Sequence, residues 1–123
     1  MKTSNKDIIS ELTKRVIEYR DARDWKQFHS PKDISISMAI EAGEVMDHFL
    51  WKNEDEIKKH VSKSKIAIGE ELADVFYCIL LMSHDLNIDL VDAFKQKMKK
   101  NEKNHPLSKA KGSIETYTKR HKE

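Results

Sequence analysis

The chain has 123 residues, a formal charge of +2 and 36% charged side chains, with three glycines, two prolines and one cysteine. One helical domain fits that size, the shortage of Gly and Pro disfavours a turn-rich β fold, and a lone Cys78 excludes an intramolecular disulfide framework. The N-terminal Met1-Lys-Thr-Ser-Asn-Lys leads straight into an amphipathic pattern without an apolar core, and no apolar run approaches the roughly 20 residues that span a bilayer. The expectation is therefore a cytoplasmic, soluble protein.

A first helix is predicted from about Lys6 to Arg23, its apolar stripe carried by Ile8, Ile9, Leu12, Val16, Ile17 and Tyr19. Ser4 and Asp7 resemble a capping box at its start. An aromatic connection follows, Asp24-Trp25-Lys26-Gln27-Phe28-His29, before Ser30-Pro31-Lys32-Asp33 opens a second helix with Ser at the N-cap, Pro at N1 and an acid at N3. That helix is predicted to run to about Trp51 on a stripe of Met38, Ala42, Val45 and Phe49. Gly43 in mid-helix costs about 1 kcal/mol relative to Ala, which suggests that another backbone approaches it closely.

Asn53 and Glu56 read as the cap of a short polar helix reaching about His60. A third long helix then starts at Ser62 or Ser64 and reaches about Leu86, with Ile68, Leu72, Val75, Ile79, Met82 and Leu86 as its stripe and Glu71, Asp74 and Cys78 on the adjoining edge. Cys78 itself reads as a small buried hydrophobe. Asn87-Ile88-Asp89 makes a turn and an N-cap, and a fourth helix extends to about Asn101, stopped by His105-Pro106. Residues 107–123 read as a polar, basic loop or tail. Charge is divided unevenly: residues 1–94 carry 13 Lys+Arg against 18 Asp+Glu, and residues 95–123 carry 10 against 3. A basic end of this kind suits either a nucleic-acid contact or closure over an anionic ligand.

The chemistry concentrates in two acidic doublets, Glu41-Ala-Gly-Glu44 and Glu71-Leu-Ala-Asp74. Spacing of i, i+3 stacks two carboxylates on one helix face. None of the four has a Lys or Arg three or four residues away, and no Lys or Arg occurs at all in 33–51 or 66–94. His48, four residues after Glu44, is the one cationic candidate and reads as a surface or partner histidine. A single ExxE is ordinarily a solvated face. Two doublets, each beside an apolar stripe and each without basic neighbours, point instead to a counter-charge from outside, and an oxygen-only ligand set suits Mg²⁺ or Mn²⁺. Trp25 and Trp51, in the connections flanking the second helix, could stack on a base.

The runs Asp24-Trp25-Lys26-Gln27-Phe28-His29-Ser30-Pro31, Glu41-Ala-Gly-Glu44, Phe49-Leu50-Trp51, Glu70-Glu71-Leu-Ala-Asp74-Val and Lys97-Met-Lys-Lys-Asn101 through His105-Pro106 resemble the MazG-like all-α nucleoside triphosphate pyrophosphohydrolases. The likeness is greatest to their small single-domain, dCTP-pyrophosphatase-like branch and covers about residues 10–120. It implies a four-helix-bundle-type fold in one domain over 1–123, and cleavage of a nucleoside triphosphate between the α and β phosphates. It also implies Mg²⁺ (or Mn²⁺) held by Glu41, Glu44, Glu71 and Asp74, which are the catalytic residues as well. Lys97 and Asn101 would serve phosphate or sugar, and Trp25, His29 and Trp51 would line a base pocket. The resemblance further implies a homodimer or homotetramer sharing helices between subunits, with no membrane and no stable nucleic-acid partner. Cys78 stands where close relatives carry Tyr, and His105-Pro106 where they carry Tyr-Pro, which leaves base and sugar open. Two other readings remain at this point: a nucleotide-binding module with little turnover, and a helical protein that binds nucleic acid through its basic tail.

Overall fold

The computed structural model describes residues 5–114, with side chains from Ile8 onward. Every element among them is helical: α1 (Asn5–Ala22), a short 3-10 turn (Lys26–Phe28), α2 (Pro31–Asp47), α3 (Glu54–Asp85), α4 (Leu90–Asn104) and α5 (Leu107–Ala110). The all-α expectation is met. The proposed capping pair at Ser4 and Asp7 falls at the edge of the described residues, Ser4 lying outside them. The tail beyond Ile114 lies outside as well.

Helix starts obey their side chains. The Ser30 hydroxyl accepts from the Asp33 N–H at 3.1 Å, with Pro31 at N1. The Asn53 side chain accepts from the Glu56 N–H at 2.9 Å while Glu56 reaches back to the Asn53 N–H, a complete capping box. The Asp89 carboxylate accepts from the Asp92 N–H at 3.0 Å.

Several boundaries differ from the sequence reading, among them the end of α4, which reaches Asn104 rather than about Asn101. α2 stops at Asp47, four residues short of Trp51, because residues 48–51 coil into a turn that ends with Trp51 at φ +66°. The short polar helix predicted for 53–60 is not separate. It is the first part of α3, which continues through a local departure at Ser64 (φ −123°, ψ 23°) rather than breaking there. In the basic segment, Leu107–Ala110 form one further helical turn where a loop was expected.

The chain divides into two compact units, residues 1–88 and 89–123. In the first, α2 packs along α3 and α1 packs against α3. Its core is small: Ile34, Cys78 and Leu81 are buried together, with Val16, Ile17, Met38, Tyr77 and Met82 against them. Cys78 thus belongs to the core, as a small hydrophobe. The α3 stripe is rotated from the one predicted, since Leu72 and Leu86 are half-exposed while Cys78, Leu80 and Leu81 face inward. Large apolar side chains remain in water on α2 (Ile36, Ile40) and α3 (Ile66, Leu72, Phe76). In the second unit, α4 exposes Phe94 and Met98 along its apolar side.

One buried polar contact locks α1 to α3. The Arg20 guanidinium, 1% exposed, donates to the two Asp85 carboxylate oxygens at 2.7 and 2.9 Å. Part of the counter-charge missing from the base-free window 66–94 therefore comes from within the chain.

Candidate functional site

The two acidic doublets converge. α2 carries Glu41 and Glu44 one turn apart, α3 carries Glu71 and Asp74 in the same relation, and one carboxylate oxygen from each lies within 4.8 Å of all the others. Glu41 and Glu71 are half-buried; Glu44 and Asp74 are exposed. Among the described residues no Lys, Arg or His forms an ion pair with any of the four.

Four like charges at this range cannot all ionise without cost. The Glu71 carboxyl is pushed up to about 7, first by the hydrogen bond it shares with Glu44, then by burial and by the charges of Glu44, Asp74 and Glu41. Glu41 is raised as well, chiefly by burial, then by its hydrogen bond and charge interaction with Glu44 and by Asp74. The same field reaches Cys78, whose thiol is raised by burial first and by Glu41 and Asp74 after it. A thiol held neutral in this way is a poor nucleophile.

Two oxygens of these carboxylates, Oε2 of Glu41 and Oε2 of Glu71, are shut off from solvent and have no hydrogen-bond partner among the described residues. A buried acceptor without a donor costs about 1–3 kcal/mol, so the arrangement is unfavourable unless something positive sits among these oxygens. A hard divalent cation fits on three grounds: oxygen-only donors, excess negative charge, and one unsatisfied buried oxygen contributed by each of two helices.

Beside the cluster, α1, Trp25 and α3 line an open cavity of about 480 Å³ with mostly apolar walls. Asp74 belongs both to its wall and to the carboxylate cluster, so the two regions are contiguous. The aromatic wall is ordered: Tyr19 meets Trp25 edge-on at 5.7 Å between centroids and Tyr77 edge-on at 6.2 Å, and the Arg23 guanidinium lies 3.8 Å over the Tyr19 ring. Arg15 also lines it.

The remaining predicted residues are placed unequally. Trp25 lines the cavity, whereas His29 and Trp51 do not. His29 is half-buried, its Nδ1 sealed from solvent with no hydrogen-bond partner. Trp51 is 92% exposed and sits in the left-handed region. A bulky residue there is a backbone outlier that costs roughly 1–2 kcal/mol. Lys97 and Asn101 lie one turn apart on α4, in the second unit. Sequence reasoning missed Arg15, Tyr19 and Tyr77 as wall residues. Tyr19 had been assigned to the apolar stripe of α1, and only the packing of α1 on α3 reveals the space between them.

The MazG-like family model matches residues 36–119, and the chain belongs to that family. dCTP pyrophosphatase 1 of Mus musculus is 30% identical over 112 residues, covering 89% of this chain and 66% of that protein. The protein of the same name from Bos taurus is 27% identical over 117 residues, covering 94% and 69%. This chain thus spans about two-thirds of the length of these relatives. A pyrophosphatase from Archaeoglobus fulgidus, known as a crystal structure, superposes with a TM-score of 0.77 at 32% identity, covering 86% of this chain and 99% of that one. The fold is the all-α MazG-like pyrophosphatase type.

Proposed function

We propose that the protein is a divalent-metal-dependent nucleoside triphosphate pyrophosphohydrolase, cleaving between the α and β phosphates to leave a nucleoside monophosphate and pyrophosphate. The observation that carries this reading is the convergence of Glu41, Glu44, Glu71 and Asp74, two of which carry a buried, unpartnered oxygen. Family membership and the similarity to dCTP pyrophosphatases and to an archaeal pyrophosphatase support it.

The four carboxylates would hold Mg²⁺ or Mn²⁺. Bound there, the cation supplies positive charge that neutralises phosphate oxygens as negative charge develops on them. The protein's own residues do the rest. A carboxylate of the cluster orients the attacking water and accepts its proton, which requires an ionised oxygen, and Glu71, near 7 in the metal-free protein, is brought into that state when positive charge is present. The cavity beside Asp74 receives the base, with Trp25 on its wall and Tyr19 and Tyr77 holding that wall in place. The family resemblance assigns His29 and Trp51 to the base and Lys97 with Asn101 to phosphate or sugar. Substrates are dCTP-like or non-standard deoxynucleotides, and the role is cleansing of the nucleotide pool.

Residues 1–123 are read as one domain, because the family match runs across 36–119 and so through both compact units. The protein is further read as a homodimer or homotetramer. Ile36, Ile40, Ile66, Leu72 and Phe76 are large apolar side chains left exposed on α2 and α3, and a second copy of the same helices would cover them. No described helix is long and apolar enough to cross a membrane.

The test is product analysis across a panel of dNTPs, NTPs and modified nucleotides, with Mg²⁺ and with EDTA. The proposal expects monophosphate and pyrophosphate in equal amounts with Mg²⁺ only. Release of inorganic phosphate and a diphosphate would contradict the cleavage position. Tight nucleotide binding without turnover would replace the enzyme by a binding module.

A further inference from the structure

Outside the carboxylate cluster, one pair of metal-ligating side chains among the described residues meets across two helices. His48 caps the C-terminal end of α2, and His60 lies near the start of α3. Nδ1 of His48 is 2.7 Å from Nε2 of His60, with ring centroids 5.0 Å apart and planes tilted by 35°. Both rings are half-buried. At this separation the two nitrogens share one hydrogen, one donating and the other accepting. A second proton is opposed, since His60 is held below its ordinary value by burial first, then by the positive charges of Lys52 and His48. The pair therefore presents two ring nitrogens that face each other across the gap between α2 and α3.

We propose that His48 and His60 form a second, exchangeable metal site for a borderline transition ion such as Zn²⁺ or Ni²⁺, clasping the end of α2 to the start of α3. Donor chemistry sorts it from the first site: imidazole nitrogens suit Zn²⁺, Ni²⁺ and Cu²⁺, and carboxylate oxygens suit Mg²⁺ and Mn²⁺. Occupancy requires the shared hydrogen to move to the outer nitrogen of its own ring, a change of tautomer with no net loss of a proton. It also requires the inner nitrogens to separate to roughly 3.3 Å, the spacing that two Zn–N bonds of about 2.0–2.1 Å at a tetrahedral angle demand. Two protein ligands leave the other positions to water, which makes the site exchangeable rather than structural.

The clasp spans an irregular part of the first unit. Between the two histidines lie the turn that carries Trp51 in its left-handed conformation and the opening turns of α3, and four residues beyond His60 the helix departs from regular geometry at Ser64. Metal bound at the pair would fix the angle of this arm against α2.

The experiment is calorimetric titration of chelator-treated protein with ZnCl₂ in saturating Mg²⁺, which fills the carboxylate site and leaves the imidazoles free. The expected result is one Zn²⁺ per chain. In both His48→Gln and His60→Gln its affinity falls by more than the roughly 100-fold that loss of an outer-shell partner alone can cause, while His84→Gln keeps it. Should a variant fail to fold, ring-nitrogen NMR of the wild type reads the same contact, with Nδ1 of His48 and Nε2 of His60 shifting together on zinc addition. Absence of zinc binding in Mg²⁺, affinity unchanged in both variants, or shifts confined to other histidines would overturn the proposal. Nucleotide turnover enters none of these readouts, so they stand apart from the proposed activity.

Discussion

Arg20 in α1 holds Asp85, the last residue of α3, through two parallel hydrogen bonds of 2.7 and 2.9 Å between groups 65 residues apart in sequence. An acid at a helix C-terminus opposes the helix dipole, so Asp85 would be a poor choice there without its partner. With the guanidinium buried, breaking the pair strands a charge. Asp85→Ala should cost roughly 3 kcal/mol of stability, measured by urea unfolding. An Arg20→Met, Asp85→Leu double variant should lose much less than the two single changes together, because both charges leave at once.

The same pair gives the protein an acid limit. The Arg20 hydrogen bond, the largest influence on it, holds the Asp85 carboxyl below its ordinary value of 3.8. A depressed carboxylate contributes stability that is complete above the unfolded value and is lost as pH falls through the folded one. The urea midpoint should therefore drop below about pH 3.8, and Asp85→Asn should remove that part of the slope.

Glu71 has the opposite sign. Its ordinary value is 4.5 and the folded one about 7, so between these limits the folded state binds the proton and the unfolded state does not. In EDTA, stability should fall as pH rises through that window and level off above it. Glu71→Gln should flatten the fall, and Mg²⁺ should restore the wild type at neutral pH. A metal-free protein whose midpoint is level from pH 4.5 to 7 would mean that the cluster is less crowded than its geometry indicates.

Trp51 pairs near-complete exposure with a left-handed backbone, a combination that folding alone does not favour. Trp51→Gly relieves the backbone, and the greater freedom of glycine in the unfolded chain offsets that gain. The melting temperature should stay nearly constant. If Trp51 stacks on a base, nucleotide affinity should fall by roughly tenfold, at the low end of the 1–3 kcal/mol that such stacking contributes. Unchanged KM would remove Trp51 from the site.

A Cβ added at Gly69 in α3 meets no atom within 4 Å. Gly69→Ala should therefore stabilise the helix by about 1 kcal/mol, visible as a raised urea midpoint at constant slope. Gly43 is equally open within the chain, so the close approach expected from its sequence position has no counterpart among the described residues.

Helix starts were legible because they are local. Ser30, Asn53 and Asp89 each satisfy a backbone N–H three residues on, and the pattern is visible in the sequence. Helix ends were less so: the turn after Asp47 contains no glycine, and Trp51 takes the left-handed position that a glycine would have announced. The continuity of α3 through Ser64 was hidden by two serines that read as caps. The carboxylate cluster was legible from i, i+3 spacing and the absence of basic neighbours. The contacts of Arg20 with Asp85 and of His48 with His60, like the cavity wall of Arg15, Tyr19 and Tyr77, depend on helix packing and leave no periodic trace.

The most direct test of the account is pyrophosphate release from dCTP by the wild type and by Glu71→Gln, each with Mg²⁺ and with EDTA. The account predicts metal-dependent release by the wild type, and a folded Glu71→Gln protein that loses it. Wild-type rates in Glu71→Gln, or release that survives EDTA, would contradict the assignment of the four carboxylates as the metal-holding catalytic centre.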